Sequence, residues 1–328
     1  MHTPALRAIA AVVAAVAIQA LMVFAFGWPS ARLAPRDVPL VVAGPPAATT
    51  VIANRIEAER PGAFDITKQP DEAAARAALS DREAYGAIVV TPTGPRVLVA
   101  SAASPVIAQQ LGQVAQQLSG RSVAQVQDVV PADRDDPRGA AFGSMMLPLV
   151  LSGIVAGVLL TLLVPSIGWR LAGLTGFAIL GGLVTAGIAQ GALSALPGTY
   201  LTVAGVAALG SLAVAASVTG LGAVLGRPGI GLAALTMLVL GNPLSGATSA
   251  PELLPQPWGA VGQALPPGAT ATLMRSATFF DGAGAAAPLT VLLIWAGAGL
   301  LLTAAGVFRA RSRAAAADRS TTTAALAH

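Results

Sequence analysis

Long apolar runs open the chain and fill its second half, and a mixed strand-and-helix texture lies between them. The first run, AIAAVVAAVAIQALMVFAFG, covers residues 8–27. Others cover 142–164, 171–193 and 201–225, a short one 229–240, and a last one 287–308. About 20 apolar residues in a helix match the hydrocarbon thickness of a bilayer. The pattern therefore predicts six transmembrane helices, the fifth shorter than the rest. The breaks VPSIGWR, ALPGTY and GRPG are Pro/Gly turns. Trp169 and Tyr200 fall at span ends, where amphipathic rings favour the headgroup zone. The rival reading of the first run is a cleaved signal peptide. Its apolar stretch is longer than the usual ~7–15 residues and no good small-x-small site follows, which favours an uncleaved anchor.

Residues 28–139 alternate differently. DVPLVVAG (37–44) and AFDITKQ (63–69) read as strands. AATTVIANRIEAER places Val51, Ile52 and Ile56 at helical spacing, and DEAAARAALSDREA has acids first and Ala/Leu within, a good helix start. YGAIVVTP and PRVLVASAA flank the turn TPTGP as a hairpin. SPVIAQQLGQVAQQLSGRS is an amphipathic helix with Ser104 as cap and Pro105 in its first turn. Such alternation predicts a small α/β module of about 100 residues, able to fold alone and tethered at both ends to the membrane. The expected fold is thus a mainly α-helical membrane protein with an extracytoplasmic α/β domain. Its parts are an anchor (1–27), the α/β domain (28–139), a five-helix membrane domain (140–308) and a basic cytoplasmic tail (309–328).

Composition supports this picture. Of 328 residues, 55% are hydrophobic and 10% charged. Mean hydropathy is +0.72, more apolar surface than a soluble domain can hide. The pI near 10.6 invites a nucleic-acid reading, but the distribution of charge argues against one. Residues 28–139 hold 11 Arg/Lys against 12 Asp/Glu, a net charge of −1. The remaining arginines, Arg275 apart, cluster at span ends. With six spans, Arg7, Arg170, Arg227, Arg309, Arg311, Arg313 and Arg319 all fall on one side, opposed only by Asp318. By the positive-inside rule that side is cytoplasmic, so both termini are inside and residues 28–139 outside. The expected partner is the bilayer of the plasma membrane, not nucleic acid.

Candidate chemistry is sparse. Cysteine is absent and histidine occurs only at His2 and His328, which leaves almost no raw material for zinc or a His-based triad. No catalytic, cofactor or metal residue is assigned. GPPAATT (44–50) lacks the Lys of a P-loop and the spacing of a dinucleotide fingerprint, and reads as a turn into a helix. PADRDDPRG, with Asp133, Asp135 and Asp136, reads as a solvated linker, with a divalent-cation site as the sharper alternative. The spans contain no ionisable residue, only Gln19, Gln190, Ser and Thr, which argues against a proton-driven pump. GIVAG (153–157) and GIAQG (187–191) are small-residue patterns suited to close helix packing.

The segment 241–286 is the exception. GNPLSGATSAPELLPQPWGAVGQALPPGATATLMRSATFF is apolar enough to touch a membrane and too rich in Pro and Gly for one helix. Asn242-Pro243 ends the fifth run early; short helical pieces follow, with Trp258 at the interface and Arg275 in an otherwise uncharged helix. An unpaired charge at a low-dielectric boundary is costly, so Arg275 is expected to pair with Asp281 or Glu252. Glu252, Trp258, Arg275 and Asp281 are therefore candidate outer-gate residues. The plainer alternative is an ordinary solvated loop.

One span, an α/β segment and then closely spaced spans resemble the type-2 ABC exporter permease superfamily, in its phage-infection-protein-like branch. The segments carrying the resemblance are VPLVVAG, DEAAARAALSD and YGAIVVTP in the outer part, and PELLPQPWGAVGQALPPGATATLMRS before the last span. The resemblance implies a permease that exports a lipid-like or amphipathic molecule, driven by a separate ATP-binding subunit, as a homodimer. It also implies that the Pro-rich element caps the outer end of the bundle. The chain departs from the family in its short cytoplasmic connections, VPSIGWRL above all, and in the roughly seven residues before its first span, which leave little for an ATPase to dock on. A non-transporting receptor or assembly scaffold, binding a partner through the α/β domain, is the alternative function.

Overall fold

The computed structural model describes residues 4–92, 94–119 and 125–325. Among the described residues, five helices are long and apolar enough to cross a membrane: α1 (Pro4–Ser30), α5 (Ala140–Leu163), α6 (Ile167–Ala186, running on as a π-helical turn to Ala192), α7 (Tyr200–Leu225) and the first part of α11 (Ala286–Ala325). The chain is on these grounds a multi-pass membrane protein. The expected short fifth span is α8 (Arg227–Leu235) with a π-helical turn to Gly241. Fifteen residues cover about 22 Å at ~1.5 Å each, short of the ~30 Å hydrocarbon core. Among the described residues the full-length helices therefore number five, and the expected shorter fifth element is present as α8 with its π-helical turn.

The bundle is built around α7. Two-thirds of its apolar stretch is buried (67%), against 22–28% for α5, α6 and α11 and none for α1. Its Ala/Gly-rich surface is the cause, because helices in lipid associate through close packing rather than through a hydrophobic drive. A Cβ on Gly157 of α5 would lie 2.7 Å from the Val218 Cβ and 2.8 Å from the Ala215 carbonyl oxygen. The GIVAG expectation thus holds. GIAQG does something else: Gly191 meets nothing within 4 Å, and the Gln190 amide donates to the carbonyls of Leu196 and Gly198 (3.1 Å each), closing the turn into α7. At the other end of the bundle, the Arg170 guanidinium donates to the carbonyls of Thr161 (2.9 Å) and Val164 (2.5 Å), capping α5. The arginines expected on the cytoplasmic side after the last span, Arg309, Arg311, Arg313 and Arg319, lie outside the described side chains. His2, His328 and the expected end of the amphipathic helix at 120–122 lie outside the described residues.

The α/β part is a five-stranded mixed sheet in the order β2-β1-β3-β4-β5, where β1 is Val38–Ala43, β2 Phe64–Gln69, β3 Gly86–Thr91, β4 Gly94–Val99 and β5 Gln125–Asp128. β1 runs parallel to β2 and β3, β3 and β4 form the expected antiparallel hairpin, and β4 runs parallel to β5. α2 (Pro46–Glu59), α3 (Glu72–Ser80) and α4 (Pro105–Ser119) make the connections. Local signals work as expected: the Asp71 carboxylate accepts from the Ala74 N–H (2.9 Å) and the Ser104 hydroxyl from the Ile107 N–H (3.3 Å). Val51 does not join the core; it is 68% exposed, while Ile56 is buried. β5 has no counterpart among the predicted strands.

Both faces of this sheet are completed by residues from far down the chain. Val38, Leu40, Ile107 and Leu111 pack with Ala250 and Leu253. Val41, Ala78 and Leu79, on the opposite face, pack with Phe280. Backbone bonds fasten the same seam: the Ala34 N–H donates to the Leu253 carbonyl (3.0 Å) and the Arg36 N–H to the Glu252 carbonyl (3.1 Å). The sheet domain is not closed on its own residues, so the expected self-sufficient module is incomplete without the Pro-rich segment.

Candidate functional site

The Pro-rich segment folds as a 3₁₀ turn (Pro251–Leu253), a short helix α9 (Trp258–Gln263) and α10 (Pro266–Phe279). Pro266 and Pro267 open α10, where a missing N–H matters least. Asp281 (φ 48°) and Gly282 (φ 90°) lie just beyond its end in the left-handed region that stops a helix. Eleven of the fourteen residues of α10 are buried. It lies along α7, with Thr270 against Gly210 and Thr278 beside Gly198. This element is inserted between bundle and sheet, and it is not an ordinary loop.

A cavity of about 410 Å³ opens where the sheet domain meets this element. From the sheet side come Arg82 and Tyr85; from the Pro-rich side Glu252, Gln263, Thr272 and Arg275. The Tyr85 hydroxyl donates to the Glu252 carboxylate (2.7 Å). Burial, with the Glu252 charge adding, pushes the Tyr85 phenol well above its ordinary range, so it remains a donor. The Arg82 guanidinium donates to the Thr272 carbonyl (3.1 Å) and to the Ser276 hydroxyl, and lies 5.1 Å from the centre of the Phe280 ring. Burial lowers its pKa. The Thr272 hydroxyl donates to the Gln263 side-chain oxygen (2.6 Å), and the Gln263 amide donates to the Ser245 carbonyl (2.9 Å).

Arg275 is 6% exposed. Its guanidinium donates to the Ala247 carbonyl (2.8 Å) and sits 4.6 Å from the Phe142 ring centre, a cation–π contact. Burial pushes its pKa down to about 10; Tyr85 and Glu252 oppose that shift and Arg82 adds to it. The expected ion pair is absent: among the described residues Arg275 bridges neither Glu252 nor Asp281. Glu252 shares the cavity but is held by Tyr85. Asp281 is exposed, turned out by its left-handed backbone. Trp258 is 39% exposed and packs edge-on against Trp28 of α1, ring centres 6.4 Å apart. It lines a second, apolar space of about 310 Å³ with Leu21, Phe24 and Leu240.

The acidic cluster before α5 serves the helix. Asp136, 6% exposed, accepts from the N–H groups of Ala140 (2.7 Å) and Phe142 (2.9 Å), where the helix dipole favours an anion. Neither the solvated-linker nor the cation reading describes this residue. Among the described residues, no three acidic or histidine side chains are grouped to hold a metal.

Sequence reasoning found Glu252, Trp258 and Arg275 as chemical outliers in an apolar segment. Arg82, Tyr85 and Phe142 carried no such signal, because they sit at a helix end, the head of a strand and the start of an apolar span. The chain matches no family model, no curated protein and no solved structure.

Proposed function

We propose that the chain is a permease-like protein of the plasma membrane, with both termini cytoplasmic and the sheet domain outside. It handles a lipid-like or amphipathic molecule at the outer boundary of the bundle and exports it with a separate ATP-binding subunit. One observation carries the choice of substrate class. The short helix α9 stands between a charged space and an apolar one: Gln263 and Ala260 line the first, and Trp258 lines the second. Six residues of helix span only about 9 Å, the scale of a headgroup and the start of its tail.

A second observation favours the alternative, a receptor or assembly scaffold. At the end of the bundle away from the sheet, α5 and α6 are joined by three residues and α7 and α8 by Gly226 alone, so no loop there offers an ATPase a docking surface. The test compares cells with and without the chain at matched growth. Export predicts an amphipathic species depleted from the outer leaflet and medium and accumulated inside. An unchanged distribution, with a protein crosslinked to the sheet domain, would select the scaffold instead.

A further inference from the structure

Arg275 is a buried cation with no counter-charge bonded to it. A guanidinium carries five N–H donors. Among the described residues, Arg275 makes one hydrogen bond, to a neutral carbonyl, and no ion pair. No fully buried side-chain nitrogen lacks a partner among those residues. The unbonded nitrogens of Arg275 therefore open onto the spaces it lines, the 410 Å³ cavity and a smaller one of about 20 Å³ beside Asp136. The carboxylates that share these spaces are engaged or remote. Glu252 accepts from Tyr85, Asp133 accepts from the Asp135 N–H, Asp136 accepts from two backbone N–H groups of α5, and Glu83 is exposed. A second guanidinium, Arg82, enters the same cavity and repels the first. Two half-satisfied cations facing one partly open space are unfavourable as they stand, because removing an ion from water is costly unless it is paired.

We propose that this cavity is an oxyanion site, in which Arg275 and Arg82 together receive a phosphate or carboxylate group through charge-assisted hydrogen bonds, with the Gln263–Thr272 pair lining its wall. The guanidinium fork suits such a group, since its parallel donors match two acceptor oxygens. The oxyanion has two possible sources, the headgroup of an anionic lipid and a free soluble anion. Binding of this kind needs no transport and no ATPase, so it goes beyond the export reading: failed export leaves it standing, and failed binding leaves export untouched.

The experiment uses the full chain in nanodiscs and reads thermal unfolding by tryptophan fluorescence. One arm adds inorganic phosphate to discs of purely zwitterionic lipid; the other uses discs containing phosphatidylglycerol without phosphate. Saturating ligand at roughly 100 times its Kd should raise the midpoint by about 5 °C. A response in the second arm alone identifies a headgroup, and one in the first alone a free anion. In either case Arg275→Gln should weaken apparent affinity about tenfold or more, while Arg275→Lys keeps part of it. Arg275→Gln is too short to reach the Ala247 carbonyl and loses the Phe142 ring contact, so the readout is the ligand-induced shift of each variant over its own ligand-free midpoint. A purely structural arginine would lower that ligand-free midpoint and leave the ligand-induced shift unchanged. No response in either arm, or a response that Arg275→Gln leaves unchanged, overturns the proposal.

Discussion

Replacing Leu253 by alanine should loosen a sheet that begins more than 200 residues earlier. Leu253 is fully buried (0% exposed) among Val38, Leu40, Ile107 and Leu111. The change leaves the seam's backbone bonds from Ala34 and Arg36 in place, so it isolates the side chain. Truncating a buried leucine costs about 2–5 kcal/mol, the transfer term plus the cavity left behind. Since each ~1.4 kcal/mol is a factor of ten, amide exchange through opening of the sheet domain should accelerate about 30-fold or more. The assay is hydrogen exchange by mass spectrometry on the full chain in nanodiscs. Val38–Ala43 and Pro105–Ser119 should exchange faster, while Tyr200–Leu225, whose packing does not involve Leu253, should not change. Leu159→Ala, at a residue 50% exposed on α5, is the matched control and should leave the sheet as it is. If exchange in Val38–Ala43 stays within threefold of the native rate, the Pro-rich element does not complete the sheet's core and the reasoning fails.

Gly157→Ala should lower the thermal midpoint in detergent by about 2–6 °C through overpacking against Val218, whereas Gly191→Ala, with open space around it, should leave the midpoint unchanged. Glu72 is paired with Arg76 (2.7 Å) and Arg96 (3.0 Å), and the hydrogen bond from Arg76 is the main cause of its lowered pKa. A folded pKa below the unfolded one means that the stabilisation is complete above the ordinary carboxylate range and is lost as pH falls through the folded value. Glu72→Gln should therefore destabilise the sheet domain at pH 7, and the difference from the native chain should shrink as pH falls below the ordinary carboxylate range; a gap that does not shrink on acidification contradicts the pairing. Topology is testable because the chain has no cysteine. Asn54→Cys and Thr248→Cys, both exposed, should react with an impermeant maleimide in intact cells, and Ser166→Cys in the α5–α6 turn only after permeabilisation. Labelling of Ser166→Cys in intact cells would reverse the orientation.

The linear chain by itself determined the elements whose cause is local. Apolar length marked the five long helices, short stretches of apolar and β-branched residues marked β1 to β4, and Asp71 and Ser104 announced the helices they cap. These depend on hydrophobicity and backbone hydrogen bonding within a few residues, so neighbours in sequence carry the information. It also marked Arg275 and Glu252 as outliers, since a charge in an apolar segment is conspicuous wherever it finally sits.

What the charges meet was decided by tertiary structure. Arg275 looked for an acid within its own segment; the fold gave it a carbonyl, a phenyl ring and an open cavity instead. Glu252 went to Tyr85, 167 positions away, and Arg82 reached Thr272, 190 positions away. No periodicity encodes such pairs, because each half is satisfied only when the sheet has docked on α10. Val51 shows a related limit: the buried face of α2 runs through Thr49, Ala53 and Ile56, and Val51, five residues from Ile56, lies off that stripe. α7 became the centre for a similar reason. Its small residues are no more apolar than those of its neighbours, and only the packed bundle shows which helix can let others approach closely from several sides.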